Sequence, residues 1–328
     1  MKVFISTVPF GAMNGVPIEL LQEGRLDYQI NPLGRRLQQG ELTQFMKDVD
    51  ILIAGTETID REVIDNSPKL KLISRVGIGL DGIDLNYCKK KGISVSYTPD
   101  APAPAVAELT IGLMLSALRS ITIADRHLRQ GDWNRIFGRR ISEICVGIIG
   151  AGRIGGRVIR RLGAFGTPKI LVNDNLPNPK ISPSQKLEWT SKETIFKEAD
   201  VISLHVPLTP ETKDLVSSET LSLMKKDAIL INTARGDLVD EQALKSFLDG
   251  NPRAIACLDV FRNEPYRGDL LLTQNAILTS HMGSMTLDCR SRMEIEATQE
   301  ALRFANGCAL VNSVPQLEYA LQKVDHAG

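Results

Sequence analysis

The sequence predicts an α/β protein of two doubly wound parallel-sheet domains, and three observations carry that reading. At 328 residues the chain is too long for one ordinary core. Short apolar runs recur along it with helical stretches between them, the pattern of parallel strands covered on both faces. Between the fifth and sixth runs stands Thr98-Pro99-Asp100-Ala101-Pro102-Ala103-Pro104. That segment is too rich in proline to be helical and reads as a crossover between units.

Taken in order, the strands of the first unit are expected at 3–6, 27–30, 50–54, 71–75 and 93–97. After the crossover comes one long helix, 105–130, with Pro104 and Glu108 at its opening and Gly131 just past its end. Six strands follow, at 145–149, 169–173, 201–205, 228–232, 255–259 and 276–279. A second long helical pattern begins near Thr286 and stops at Asn306-Gly307, after the second unit is complete. It is expected to return to the first unit. Residues 1–99 with 286–328 would then form one discontinuous domain, and 100–285 the other.

Composition bounds the function. Hydrophobic content of 43% and charged content of 24% fit a soluble globular chain. The 39 basic and 39 acidic residues cancel, which argues against a nucleic-acid partner. The five cysteines, Cys88, Cys145, Cys257, Cys289 and Cys308, are widely spaced without a C-x-x-C. They suggest neither a disulfide framework nor a metal site, and they fit a reducing compartment. Met1 to Thr7 alternates like a strand and meets Pro9 too early for a signal peptide. The longest apolar stretch, 109–118, is about half a membrane span, so no membrane partner is expected and the protein reads as cytoplasmic.

The first chemical motif is Gly150-Ala151-Gly152-Arg153-Ile154-Gly155, set between the strand at 145–149 and a helical stretch at 153–165. Gly150 permits a tight turn, Gly152 lets backbone approach a pyrophosphate, and Gly155 allows helix and strand to pack closely. The N–H groups of Arg153, Ile154 and their neighbours at the helix start would face the phosphates. Asp174 ends the next strand, where a carboxylate accepts from ribose hydroxyls and repels a 2′-phosphate. NAD is therefore expected rather than NADP, with Asn175 and Lys180 as nearby groups that could soften the distinction.

Three more motifs follow apolar runs: Asn232-Thr233-Ala234-Arg235-Gly236, Asp259-Val260-Phe261-Arg262-Asn263-Glu264-Pro265, and Ser280-His281-Met282-Gly283-Ser284. In an open parallel sheet, ligands bind beyond the carboxyl ends of the strands, which is where Arg235, Glu264 and His281 fall. Hydride transfer at C2 of a hydroxy acid needs a group that takes and returns the hydroxyl proton, and histidine suits both directions. A neighbouring carboxylate, Glu264, would fix its tautomer and stabilise the imidazolium. Arginine offers a planar fork to a carboxylate. Each residue alone has an ordinary structural reading; three in succession beside a nucleotide fingerprint do not. His205 also ends a strand and, with Pro207, is expected to shape the cofactor pocket, whereas His127 and His326 read as surface residues.

At this point the chain resembles the D-isomer-specific 2-hydroxyacid dehydrogenase family over nearly its full length. Further matching stretches are Leu72 to Asp84, Ala107-Glu108-Leu109-Thr110, Leu204 to Thr212 and Asn232 to Glu241. The resemblance implies a flavodoxin-like substrate domain and a Rossmann NAD-binding domain. It also implies that Arg235 holds the substrate carboxylate, His281 is the acid/base and Glu264 its partner. Asp259 would meet the nicotinamide carboxamide, Thr110 and Thr233 would line the cofactor site, and Val76 and Gly77 amides would cradle the substrate carboxylate. The long helix would pack on its copy in a homodimer. Ser280 stands where the family commonly has proline, and Glu143-Ile144 where it has Gly-Lys. The expected substrate is a small 2-hydroxy or 2-keto acid, with a phosphorylated one close behind because Arg75 could bind a distal phosphate. Two alternatives stay open, an NAD-binding corepressor-like protein without turnover and a phosphite-type dehydrogenase.

Overall fold

A computed structural model describes residues 1–38, 40–166, 168–175, 181 and 186–322. In chain order they form β1 (Lys2–Ile5), α1 (Val16–Glu23), β2 (Asp27–Ile30), β3 (Ile51–Ala54), α2 (Arg61–Asp65), β4 (Leu72–Arg75), α3 (Leu85–Lys90) and β5 (Ser94–Ser96). Next come α4 (Ala103–Leu118), α5 (Ile121–Arg129), β6 (Cys145–Ile149), α6 (Gly155–Leu162), β7 (Lys169–Asn173), β8 (Leu187–Trp189) and α7 (Lys192–Glu198). The remainder is β9 (Val201–Leu204), α8 (Ser218–Leu223), β10 (Ile229–Asn232), α9 (Glu241–Gly250), β11 (Ile255–Leu258), β12 (Ala276–Leu278), α10 (Leu287–Ala305) and α11 (Gln316–Leu321). The chain divides into two compact units, Met1–Pro102 with Met285–Gly328, and Ala103–Ser284.

The first unit holds a five-stranded sheet in the order β2-β1-β3-β4-β5. The second holds seven strands, β12-β11-β10-β9-β6-β7-β8. Each neighbouring pair is parallel. In the second sheet the period of two sends alternate apolar side chains into separate cores. Ile149, Leu171, Leu204, Leu230 and Leu258 join Phe196 and Leu244 on one face. Ile148, Val172, Val201, Ile231 and Cys257 join Met114, Val158 and Leu162 on the other. Burying each such aliphatic side chain contributes about 1.5–3 kcal/mol, which is why continuous apolar runs become central strands.

Two sequence expectations change. The second sheet has a seventh strand, β8, an edge strand of three residues whose side chains are half-buried or exposed, so it carries no apolar run. The expected single helix at 105–130 is two helices bent by 59°. Ser120 adopts the left-handed conformation (φ 51) and breaks the helical hydrogen-bond ladder between α4 and α5. α4 is mostly buried against the second sheet, whereas α5 buries no residue. No single helix among the described residues is long and apolar enough to cross a membrane.

α10 is capped by Thr286, whose hydroxyl accepts from Cys289 N–H. Within the first unit it anchors the loop that leaves β1. Arg290 pairs with Glu294 at 2.5 Å and donates to Thr7 Oγ1 at 2.8 Å and the Pro9 carbonyl at 2.6 Å. Glu294, only 1% exposed, accepts Gly11 N–H at 2.8 Å. Removing one member of a buried ion pair strands the other. Glu294→Ala is therefore expected to cost about 3–5 kcal/mol in urea unfolding; a loss below 1 kcal/mol would show the pair to be incidental.

Candidate active site

The second unit gathers most of the expected site residues at the carboxyl edge of its sheet. Its strand order reverses between β6 and β9, and the two loops that diverge there carry the glycine motif and His205. Gly150 has φ 96, and a Cβ on it would lie 2.5 Å from the His205 carbonyl oxygen. A Cβ on Gly155 would stand 1.9 Å from the Gly150 oxygen, so turn and helix meet only because both are glycine. Gly152 faces open space and Arg153 is exposed, while Ile154 immediately precedes α6. Asp174 Oδ2 accepts Ala151 N–H at 2.6 Å, tying the acidic strand end to the glycine turn. Such a turn, open at its middle glycine and bordered by a carboxylate, fits a dinucleotide.

His205 contributes an uncharged ring. Its Nε2 pairs with Ser203 Oγ at 2.9 Å, its Nδ1 is buried, and burial pushes its pKa down to about 3. Pro207 is exposed in the following loop, where its carbonyl accepts from Thr212 Oγ1. Thr110 of α4 and Thr233 beyond β10, both buried, meet through their hydroxyls at 3.0 Å.

Arg235 is shaped by a residue to which the sequence reading gave no role. Asn232 is buried at the end of β10; its Oδ1 accepts Ala234 N–H at 3.0 Å and its Nδ2 donates to the Arg235 carbonyl at 2.7 Å. An Asn at a strand end followed by small residues is the signal for such a turn. Behind it, a Cβ on Gly236 would lie 2.0 Å from the Phe261 carbonyl carbon. The Arg235 loop thus rests directly on the backbone of the Glu264 loop.

Glu264 and His281 are brought together. Nδ1 of His281 lies 2.8 Å from Glu264 Oε2, and Glu264 Oε1 accepts Phe261 N–H at 3.1 Å. An ionised carboxylate only accepts, so Nδ1 is the donor to Glu264 and Nε2 is the ring nitrogen not engaged by it. The imidazole is 44% exposed, accessible to a small molecule.

Asp259 holds this arrangement. It is 1% exposed, and it accepts from Thr279 Oγ1 at 2.6 Å, Met282 N–H at 2.9 Å and Gly283 N–H at 2.8 Å. The His281 N–H donates to the Asp259 carbonyl at 2.8 Å, and His281 takes a left-handed φ of 52. The carboxylate thus offsets the strain of the loop that presents the imidazole. The thiol-free, hydroxyl-bearing Thr279 was not anticipated from sequence, since nothing local marks it.

Three expected residues, Arg75, Val76 and Gly77, lie in the first unit. Arg75 Nε donates to the Gly79 carbonyl at 3.1 Å and its Nη1 to that of Val76 at 2.5 Å, folding the guanidinium over its own loop. Val76 N–H donates to the Ala54 carbonyl at 2.9 Å and Gly77 N–H to Thr98 Oγ1 at 2.8 Å, so both amides are engaged within the unit. His127, expected at the surface, is half-buried on α5. Lys180 and His326 lie outside the described residues.

A dinucleotide turn at the sheet's switch point, together with a carboxylate-held imidazole and an arginine on neighbouring strand ends, defines an NAD-dependent oxidoreductase. Comparison with known proteins specifies which. The profile of the D-isomer specific 2-hydroxyacid dehydrogenase NAD binding domain matches residues 111–283, and the chain belongs to that family. It is 36% identical over 282 residues to a hydroxypyruvate reductase of Thermotoga maritima, covering 84% of this chain and 91% of that enzyme. It is 42% identical over 255 residues to a D-3-phosphoglycerate dehydrogenase of Methanocaldococcus jannaschii, covering 76% of this chain. The matched part is 48% of that longer enzyme. Among solved structures, D-lactate dehydrogenase from Aquifex aeolicus, complexed with NAD and lactic acid, aligns with a TM-score of 0.84 at 29% identity. That alignment covers 94% of this chain and 96% of the other.

Asp259→Asn puts an amide where three donors point. The substitution is expected to lower stability by about 1–3 kcal/mol, the cost of buried donors left unsatisfied, and to lower kcat as the His281 loop relaxes. Thermal unfolding and turnover measured on the same sample check both; an unaltered kcat would remove Asp259 from the support of His281.

Proposed function

We propose that the protein reduces a small, unphosphorylated 2-keto acid with NADH, using Arg235 as carboxylate clamp and His281 as acid. The observation that carries the reading is the His281–Glu264 pair, with one ring nitrogen committed to a carboxylate and the other left to exchange a proton. NADH, when bound, supplies the hydride. The residues Gly150 to Gly155 would hold its phosphates and Asp174 its ribose, with Thr110, Thr233, Asp259, His205 and Pro207 as the other residues expected to contact it. Arg235, charged at every working pH, binds the substrate carboxylate and polarises the adjacent carbonyl. His281 Nε2 donates to the carbonyl oxygen as it becomes a hydroxyl, and Glu264 stabilises the imidazolium that serves as donor. In the reverse direction the same nitrogen takes the proton back.

The unphosphorylated substrate is favoured by Arg75, whose guanidinium is turned onto its own loop carbonyls. The relative named for hydroxypyruvate also matches over far more of its length than the one named for phosphoglycerate. An NADH-oxidation screen over 2-keto acids, phosphorylated and plain, tests the reading, and absence of turnover would favour a non-catalytic NAD-binding role. His281→Ala is expected to lower kcat by roughly 10²–10⁴ while NADH affinity, read by fluorescence, holds. Activity within about threefold of wild type would refute the assignment.

We also propose a cytoplasmic homodimer. Ile121, Leu128, Trp133 and Phe137 stand 54%, 57%, 82% and 103% exposed in one stretch of the second unit. Large apolar side chains grouped in this way call for a partner surface, and a second copy supplies a self-complementary one. Replacing Trp133 and Phe137 together by serine should turn a dimer into a 36.1 kDa monomer in sedimentation. A wild type already monomeric at micromolar concentration would end the proposal.

A further inference from the structure

Arg262 stands two residues before Glu264, in the loop that leaves β11. Its contacts reach three other segments of the second unit. Nε donates to the Val239 carbonyl at 3.0 Å, and the backbone N–H donates at 3.0 Å to Oε1 of Glu241, the first residue of α9. Nη2 meets Asp214 Oδ1, and both atoms are shut away from solvent. A planar fork that stays charged is the side chain suited to holding a carbonyl and a carboxylate at once.

Asp214 is fixed to receive it. Its backbone is left-handed (φ 53), a conformation that a residue other than glycine keeps when its surroundings impose it. Its N–H donates to the Asp237 carbonyl at 2.9 Å, and two residues on Val216 bridges to Val239. Arg262 therefore joins the loop after β11 to the loop after β9 and to the turn after β10.

These ties fix the peptide between Phe261 and Arg262. The Phe261 N–H is the donor to Glu264 Oε1 at 3.1 Å, and Glu264 Oε2 faces His281 Nδ1 at 2.8 Å. From behind, a Cβ on Gly236 would lie 2.4 Å from the Arg262 nitrogen. The Phe261 ring stacks on Tyr266 with centroids 4.1 Å apart. A carboxylate oriented through one backbone N–H is placed only as well as that N–H, so its aim depends on whatever holds the peptide.

We infer that Arg262 is a positioning residue for the acid/base pair: by pinning the Phe261–Arg262 peptide to Asp214, Val239 and Glu241, it aims Glu264 at Nδ1 and holds His281 in the Nδ1–H tautomer. Its consequence for turnover rests on the reductase reading proposed above.

Nitrogen NMR of the full chain, at a pH where the ring is neutral, reads the tautomer, and the His281 signals are those lost in His281→Ala. The wild-type ring should be mainly Nδ1–H. Arg262→Met, which keeps an aliphatic stem and removes the fork, should lower the ratio of Nδ1–H to Nε2–H about tenfold, as a weakened hydrogen bond to a carboxylate requires. Asp214→Asn should move the ratio the same way. It carries the test if Arg262→Met does not fold, because asparagine accepts a left-handed backbone. A ratio unmoved in the folded variants overturns the inference, since a merely structural role would lower stability and leave the tautomer alone. A wild-type ring that is mainly Nε2–H overturns it as well. In turnover with NADH, Arg262→Met should lower kcat about tenfold and keep KM for the keto acid within about threefold. A KM that rises at constant kcat would place the effect on Arg235 and overturn the inference. A wild type that turns over no keto acid sinks the reductase reading, while the tautomer ratio still decides Arg262.

Discussion

Parallel pairing is the constraint on which the rest depends. Because each strand runs with its neighbours, every carboxyl end of a sheet lies along one edge, and every loop leaving that edge competes for the same space. The second unit resolves the competition by letting backbones touch. The turn at Gly150 lies against His205 and against the first residue of α6, and the Arg235 loop lies on Phe261. A methyl group at Gly155 or Gly236 would separate these loops. The loops that carry the expected site residues are therefore set by backbone contact, the Gly150 turn on the His205 loop and the Arg235 loop on the Glu264 loop.

Crowding of this kind has an energetic consequence at Asp259. A carboxylate buried at the end of β11 would be destabilising by itself, yet three donors converge on it, from Thr279, Met282 and Gly283. Those donors belong to the segment in which His281 takes a left-handed φ. Charge burial and backbone strain are each unfavourable alone and support one another here. The first unit uses the same device where Glu294 and Arg290 fix the loop after β1.

How much of this the sequence disclosed follows from which forces act locally. Eleven strands were legible because buried parallel strands must be continuous apolar runs, and the dinucleotide turn and the histidine were legible because their residue types sit at strand ends. β8 was not, since Leu187, Glu188 and Trp189 at a sheet edge need no apolar run. The break at Ser120 was invisible because neither Gly nor Pro marks it and the helical pattern continues on both sides. Asn232 was quoted without a role although its turn chemistry is local.

The two histidines at the edge of the second sheet show how placement divides labour between identical side chains. His205 lies in the loop against the Gly150 turn, with no carboxylate on its ring among the described residues and its Nδ1 shut away from solvent. Burial drives its pKa down to about 3 from 6.5, so the folded protein keeps it neutral. As pH falls through the window from 6.5 to 3, the unfolded chain takes up a proton that the folded one refuses, and stability declines; above 6.5 this contribution is complete. An imidazole so placed can shape a pocket beside a bound dinucleotide without adding charge to it. His281 is nearly half exposed, and its Nδ1 lies 2.8 Å from Glu264 Oε2. One sheet edge thus carries one buried neutral imidazole and one half-exposed imidazole held by a carboxylate, and the difference comes from Glu264 and the depth of the loop.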